Sequence, residues 1–290
     1  MKEYPFFVPY DHEHLAATLT VPDDDPQAVV LLLAGTGAPR SHRFQLWTRT
    51  ARALADRRLA SVRVDYRGIG DSGGRVIQPV LGDQRTEQAM AAARFALRAC
   101  AVERLAVIGN CSGGVVGLGV TAQMPQVESA ILILPRLVQM SSVGRAALDA
   151  RKSRWAGIVR RNRVLRKVAH TTMKTGRDVP SPPVSASFLP ALEHARLLFM
   201  YSEHDRDPYV GKSRRLLQQM IAKLSPERRA RVESILIDEG PLSGFESRLV
   251  QERVISEVVG WTTLSLGVDG DRDQGTGGAD PVDATALRPR

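Results

Sequence analysis

The stretch Arg104-Leu-Ala-Val-Ile-Gly-Asn-Cys-Ser-Gly-Gly114 decides how this chain is read. A short apolar run ends in Gly-x-Cys-x-Gly-Gly and then continues in helix-compatible residues, so a strand is expected to turn sharply into a helix at Cys111. A tight turn of this kind needs small residues two positions away on each side, and Gly109 and Gly113 supply them. The turn pushes the side chain outward, above a helix N-terminus whose backbone N–H groups and partial positive charge favour a thiolate and an oxyanion beside it. Cys111 is therefore the candidate nucleophile, in a nucleophile elbow that carries sulfur in place of oxygen.

Two upstream segments support that reading. Ala28-Val-Val-Leu-Leu-Leu-Ala-Gly-Thr-Gly37 is a buried-strand pattern running into a loop, and Leu59-Ala-Ser-Val-Arg-Val-Asp-Tyr-Arg-Gly-Ile-Gly-Asp-Ser-Gly-Gly74 repeats the arrangement with a glycine-rich loop. Further strands are expected over residues 14–21, 130–134, 196–201 and 234–237. Helices are expected over 44–58, 84–100, 114–123 and 245–264. Continuous apolar strands alternating with helices imply an α/β fold, a doubly wound and mostly parallel sheet covered on both faces.

On these motifs the chain resembles the α/β-hydrolase superfamily, in the branch with a strand followed by Asp-Tyr-Arg-Gly-x-Gly-Asp-Ser and a small helical cap. The loop Ala34-Gly-Thr-Gly-Ala-Pro-Arg-Ser-His-Arg43 resembles that of exosortase-associated and serine-aminopeptidase-type hydrolases, and the cysteine elbow is similar to that of dienelactone hydrolases. The resemblance spans roughly residues 14 to 262 and implies a core over 1–135 and 191–264 with a cap over 136–190. The polar, glycine-rich segment from 265 to 290 has little to bury and is expected to form a disordered tail.

The resemblance also implies a site. Asp205, closing Leu197-Leu-Phe-Met-Tyr-Ser-Glu-His-Asp205, stands where the triad acid belongs, with Asp207 a weaker candidate. Ser112 and either Thr36 or Gly35 would donate the backbone N–H groups of an oxyanion hole. The triad histidine is expected on the loop Ile237-Asp-Glu-Gly-Pro-Leu-Ser-Gly-Phe245, but Ser243 stands at its position and no histidine follows His204. The candidate replacements, as base or polar partner, are His42, His170, His204, Glu239 and Ser243.

Without an imidazole, activating water is difficult. Three readings follow. The leading one is an enzyme acting on an ester or thioester in small-molecule, polyketide-type biosynthesis, with Cys111 and Asp205. The second is a lyase that eliminates a carboxylate such as acetate from an acylated intermediate, with Cys111 or Glu239 taking the proton. The third is a noncatalytic protein that keeps the pocket to bind a ligand.

Composition narrows the partners. The chain has 290 residues, 43% of them hydrophobic, enough for one large core. No apolar run reaches the roughly 18 residues of a membrane span. Met1-Lys-Glu-Tyr-Pro-Phe-Phe lacks the pattern of a signal peptide, so stable membrane insertion is not expected and the expected location is the cytoplasm. Two cysteines make no disulfide scaffold, and neither a metal nor a cofactor is implied. The net charge of +9 is concentrated between Arg145 and Arg177, where eleven basic residues face only Asp149. Such a patch suits an acyl carrier protein or coenzyme A as the bearer of a small acyl substrate. Nucleic acid is not expected, since no binding module accompanies the charge.

Overall fold

In the computed structural model, which describes residues 1–35, 37–75, 83–139, 179–180 and 182–268, the strands are β1 (Lys2–Tyr10), β2 (Glu13–Val21), β3 (Ala28–Leu33), β4 (Leu59–Val64), β5 (Leu105–Asn110), β6 (Val127–Ile133), β7 (Val138–Gln139), β8 (Val179–Pro180), β9 (Arg196–Tyr201) and β10 (Val232–Leu236). The helices are α1 (Leu46–Ala55), α2 (Asp83–Cys100), α3 (Ser112–Gln123), α4 (Pro182–Ala191), α5 (Pro208–Ala222), α6 (Pro226–Arg229) and α7 (Arg248–Ser265). Eight strands form one sheet in the order β1-β2-β4-β3-β5-β6-β9-β10, and β7 pairs with β8 as a separate ribbon.

From β4 to β10 the neighbours run parallel, while β1 and β2 add an antiparallel edge. Every residue of β3, β4 and β5 is buried, because helices cover both faces of the sheet there. The strand order reverses between β3 and β5. Loops leaving the two strands diverge at such a point and open a crevice at their carboxyl ends, where ligands bind in open α/β sheets. Cys111 follows β5 and Gly35 follows β3, so both candidate residues stand at this crevice.

The doubly wound expectation holds, and three details differ from it. The sequence Lys-Glu-Tyr-Pro-Phe-Phe-Val-Pro-Tyr is an edge strand, paired with β2 from Lys2 opposite Val21 to Tyr10 opposite Glu13. Its prolines and half-exposed pattern conceal it in sequence, yet an edge tolerates both. Helix α5 also escapes the sequence reading, although Asp207 caps it by accepting the Tyr209 N–H at 2.9 Å and Pro208 occupies its first turn. Finally, Val184, Phe188, Ala191 and Leu192 belong to the main core, so α4 packs with the body instead of with a cap ending at 190. The core likewise reaches Leu266 and Val268, beyond the boundary expected at 264. The rest of the expected cap, residues 140–178, and the tail from 269 onward lie outside the described residues.

The Asp-Tyr-Arg-Gly-x-Gly-Asp-Ser motif is a structural clip. Buried Asp65 accepts hydrogen bonds from the Arg40 backbone and guanidinium and, at 3.1 Å, from the Asp71 N–H. Ser72 Oγ donates to the Asp65 carbonyl at 2.7 Å and accepts from Ala16 N–H at 2.8 Å. The motif thereby ties the loop after β3 to β2 and β4. No helix of the described residues is long and apolar enough to cross a membrane.

Candidate active site

Cys111 adopts φ 53° and ψ −119°, a conformation that L-residues rarely take, between the end of β5 and the first residue of α3. Such strain costs on the order of 1–3 kcal/mol and persists only where the surroundings enforce it. Here the Cys111 N–H donates to the Ile133 carbonyl at 2.8 Å, and close backbone approach does the rest. A Cβ on Gly109 would lie 2.3 Å from the Gly113 carbonyl oxygen, and one on Gly113 would lie 2.6 Å from those of Leu33 and Ala34. The two glycines let α3 press onto β3 and β5. They thereby fix the thiol at the positive end of a buried helix.

Cys111 opens into a cavity of about 130 Å³ lined on one side by Asn110, Ile133, Leu134, Pro135 and Arg136. Asp207, Tyr209, Val210 and Ser213 from α5 and its cap, with Leu242, Ser243 and Phe245, complete it. Ser243 and Cys111 therefore meet in one pocket. Asp205 does not line it: its Oδ1 accepts the Ser243 N–H at 2.9 Å and its Oδ2 accepts the Leu242 N–H at 3.1 Å. The carboxylate holds the loop at the position where a histidine was expected. It sits directly behind Ser243.

The other candidate bases are elsewhere. His204 Nε2 is 2.9 Å from the Asp238 carbonyl oxygen, and Glu239 pairs with Arg253 at 3.4 Å; neither lines the cavity. His170 and Thr36 lie outside the described residues. Gly35 is not available as the alternative oxyanion donor, because its N–H donates to Asn110 Oδ1 at 2.9 Å. Ser112 opens α3 as expected for the elbow donor.

His42 is buried at 7% exposure, its ring 5.4 Å from that of Trp47 and 5.3 Å from that of Phe245. Burial lowers its pKa from 6.5 to about 4; hydrogen bonds with the Arg43 backbone and the Asn110 side chain act the other way, and the Arg43 charge adds to the lowering. A neutral ring wedged between two aromatics and absent from the described cavity wall packs the loop after β3 onto the core. Because the unfolded chain binds a proton here at higher pH than the folded one, stability is lost as pH falls from 6.5 towards 4. This contribution amounts to about 3 kcal/mol. Urea unfolding across that range is expected to show a slope that His42→Gln flattens; parallel curves for the two proteins would contradict the assignment.

Sequence reasoning missed Asn110, Arg136, Tyr209 and Ser213 as pocket residues. The Asp207-Pro208 helix start was the available signal for the α5 wall. Arg136, at the end of the β6 segment, carried none.

No family model and no curated protein matches the chain. Among solved structures, Est1E from Butyrivibrio proteoclasticus with ferulic acid bound is 14% identical, with a TM-score of 0.58 over 90% of this chain and 99% of that one. The Pyrococcus furiosus esterase Pf2001 is 14% identical, with a TM-score of 0.58 over 92% of each chain. A Mycobacterium smegmatis proline iminopeptidase is 16% identical, with a TM-score of 0.55 over 91% of this chain and 99% of that one. The reversed strand order, the strained residue between β5 and α3 and these likenesses lead to one conclusion: the chain has the α/β-hydrolase fold.

Proposed function

We propose that this protein is an acyl-transfer enzyme in which Cys111 takes an acyl group from an ester or thioester. The supporting observation is the elbow: a free cysteine held at φ 53°, at the N-terminus of α3, facing a cavity. In the first step the Cys111 thiolate adds to the acyl carbonyl. The C–S bond forms, the bond to the leaving alkoxide or thiolate breaks, and the leaving group departs with the electron pair and takes up a proton. Ser112 N–H receives the developing oxyanion, with Thr36 N–H as the second donor in this reading.

The second step is where the missing histidine matters. Water must lose a proton as it attacks, and no imidazole lines the described cavity wall. A thiol acceptor ionises much more readily and attacks a thioester without such help. The site therefore favours passing the acyl group between thiols over hydrolysis. Thioester donors of polyketide-type biosynthesis, borne on a carrier protein or coenzyme A, suit this chemistry, and the charge of the 145–177 segment suits such anionic bearers. Elimination with Glu239 as base is disfavoured by the Glu239 pair with Arg253, away from the cavity.

Intact-protein mass spectrometry after exposure to activated esters, acyl-coenzyme A thioesters and acylated carrier proteins tests the proposal. The expected result is an acyl adduct that is absent in Cys111→Ala. No adduct from any donor, with the thiol shown to be reduced and alkylatable, would remove the acyl-enzyme and leave elimination or ligand binding.

A further inference from the structure

One wall of the cavity carries charge that the acyl-transfer step does not use. Arg136 follows β6 and lines the pocket against the first turn of α5. Its Nη2 lies 3.4 Å from Asp207 Oδ2, and its Cζ lies 5.4 Å from the centre of the Tyr209 ring. The Arg136 side chain is 52% exposed, so solvent and ligand reach it.

Asp207 engages only one of the guanidinium nitrogens: Arg136 Nη2 donates to Asp207 Oδ2 at 3.4 Å, longer than the usual charge-assisted N···O separation of about 2.7–2.9 Å. A guanidinium presents five N–H donors in a rigid fork, and Tyr209 supports one of its faces. The other side chains lining the cavity, apart from Cys111, Asp207 and Tyr209, are uncharged and non-titrating. A thiol and a forked cation lining one cavity suit a ligand with an electrophilic carbon at one end and an anion at the other.

The geometry points to Arg136 as the binding residue for a substrate carboxylate, so that the preferred acyl group carries a carboxylate of its own. As a statement about substrate this rests on the acyl-transfer reading, but the carboxylate preference can be measured without it. The proposal concerns selection: Arg136 holds the distal anion while Cys111 meets the electrophilic carbon.

Matched alkylating pairs provide the probe: iodoacetate with iodoacetamide, and 4-iodobutyrate with 4-iodobutyramide. In each, the Cys111 thiolate displaces iodide, an S–C bond replacing the C–I bond, and peptide mapping separates Cys111 from Cys100. The acid-to-amide rate ratio at Cys111, divided by that of free cysteine, is expected to exceed about 10 in at least one pair, the range of a charge-assisted contact. Arg136→Gln is expected to bring the ratio to that of free cysteine, Arg136→Lys to retain part of it, and added salt to reduce it. A wild-type ratio equal to free cysteine in both pairs, or a preference that survives Arg136→Gln, overturns the proposal. Preference for the acids in a protein that no ester or thioester acylates would sustain the carboxylate site while sinking the acyl-transfer reading.

Discussion

Ser243→His is expected to shorten the lifetime of the acyl-Cys111 adduct by about 10²–10⁴-fold, the contribution of a positioned general base. Ser243 shares the cavity with Cys111, and its backbone is hydrogen-bonded to Asp205 Oδ1 at 2.9 Å. A carboxylate has about four lone-pair sites, so Asp205 can accept a ring N–H in addition to the two backbone donors it already serves. Ser243 is exposed to the pocket, which leaves room for the larger ring. The imidazole would take a proton from the attacking water, and Asp205 would hold its orientation. The decay of the adduct after removal of donor, followed by intact mass, measures the effect. Unchanged decay in a folded variant would show that residue 243 does not face the thioester carbonyl, and that this loop is not where the missing base belongs.

Gly109→Ala is expected to be strongly destabilising, because the added methyl group meets backbone that cannot move aside. The new carbon would sit 2.3 Å from the Gly113 carbonyl oxygen and 2.8 Å from the Gly114 nitrogen. Both are backbone atoms, so no rotamer change relieves the contact. Overpacking a rigid core costs roughly 1–3 kcal/mol and occasionally more. About 3 kcal/mol is expected here, or a Tm lower by roughly 6–12 °C for a protein of this size. Since relief requires α3 to lift from β5, reaction at Cys111 is expected to fall with stability. Gly260→Ala, on the exposed face of α7 with nothing near the added methyl, is the control and is expected to be nearly neutral or slightly stabilising. Equal Tm values for Gly109→Ala and wild type would contradict the elbow as described.

These two sites show what a sequence can carry. Gly109, Cys111 and Gly113 were legible because the elbow is a local backbone requirement: a strained φ and two close approaches can be met only by particular residue types at fixed offsets. The buried runs of β3, β4 and β5 were legible for a similar reason, since strands covered on both faces have no polar side to interrupt them. Strand β1 was hidden because an edge strand is freed from that constraint.

Which residues share the cavity with Cys111 was harder to read than the elbow itself. The structure brings Asp205 against Ser243, and nothing in the sequence could show that the Asp205 carboxylate is engaged by backbone N–H groups. His42 shared a loop with the oxyanion candidates, yet only packing reveals that Trp47 and Phe245 enclose its ring. Arg136 and Tyr209 are 73 positions apart in sequence and meet only because β6 and α5 converge over the crevice. Contacts made by tertiary convergence leave no periodic trace in either segment.

In the proposed reaction Cys111 accepts an acyl group and, with no imidazole on the described cavity wall, releases it slowly to water. Pre-steady-state release of nitrophenolate from a p-nitrophenyl ester measures this directly. The predicted trace is a burst equal to one leaving group per chain, followed by a phase at least about 100-fold slower, with the burst absent in Cys111→Ala. Linear release without a burst, or a burst of the same size in Cys111→Ala, would contradict it.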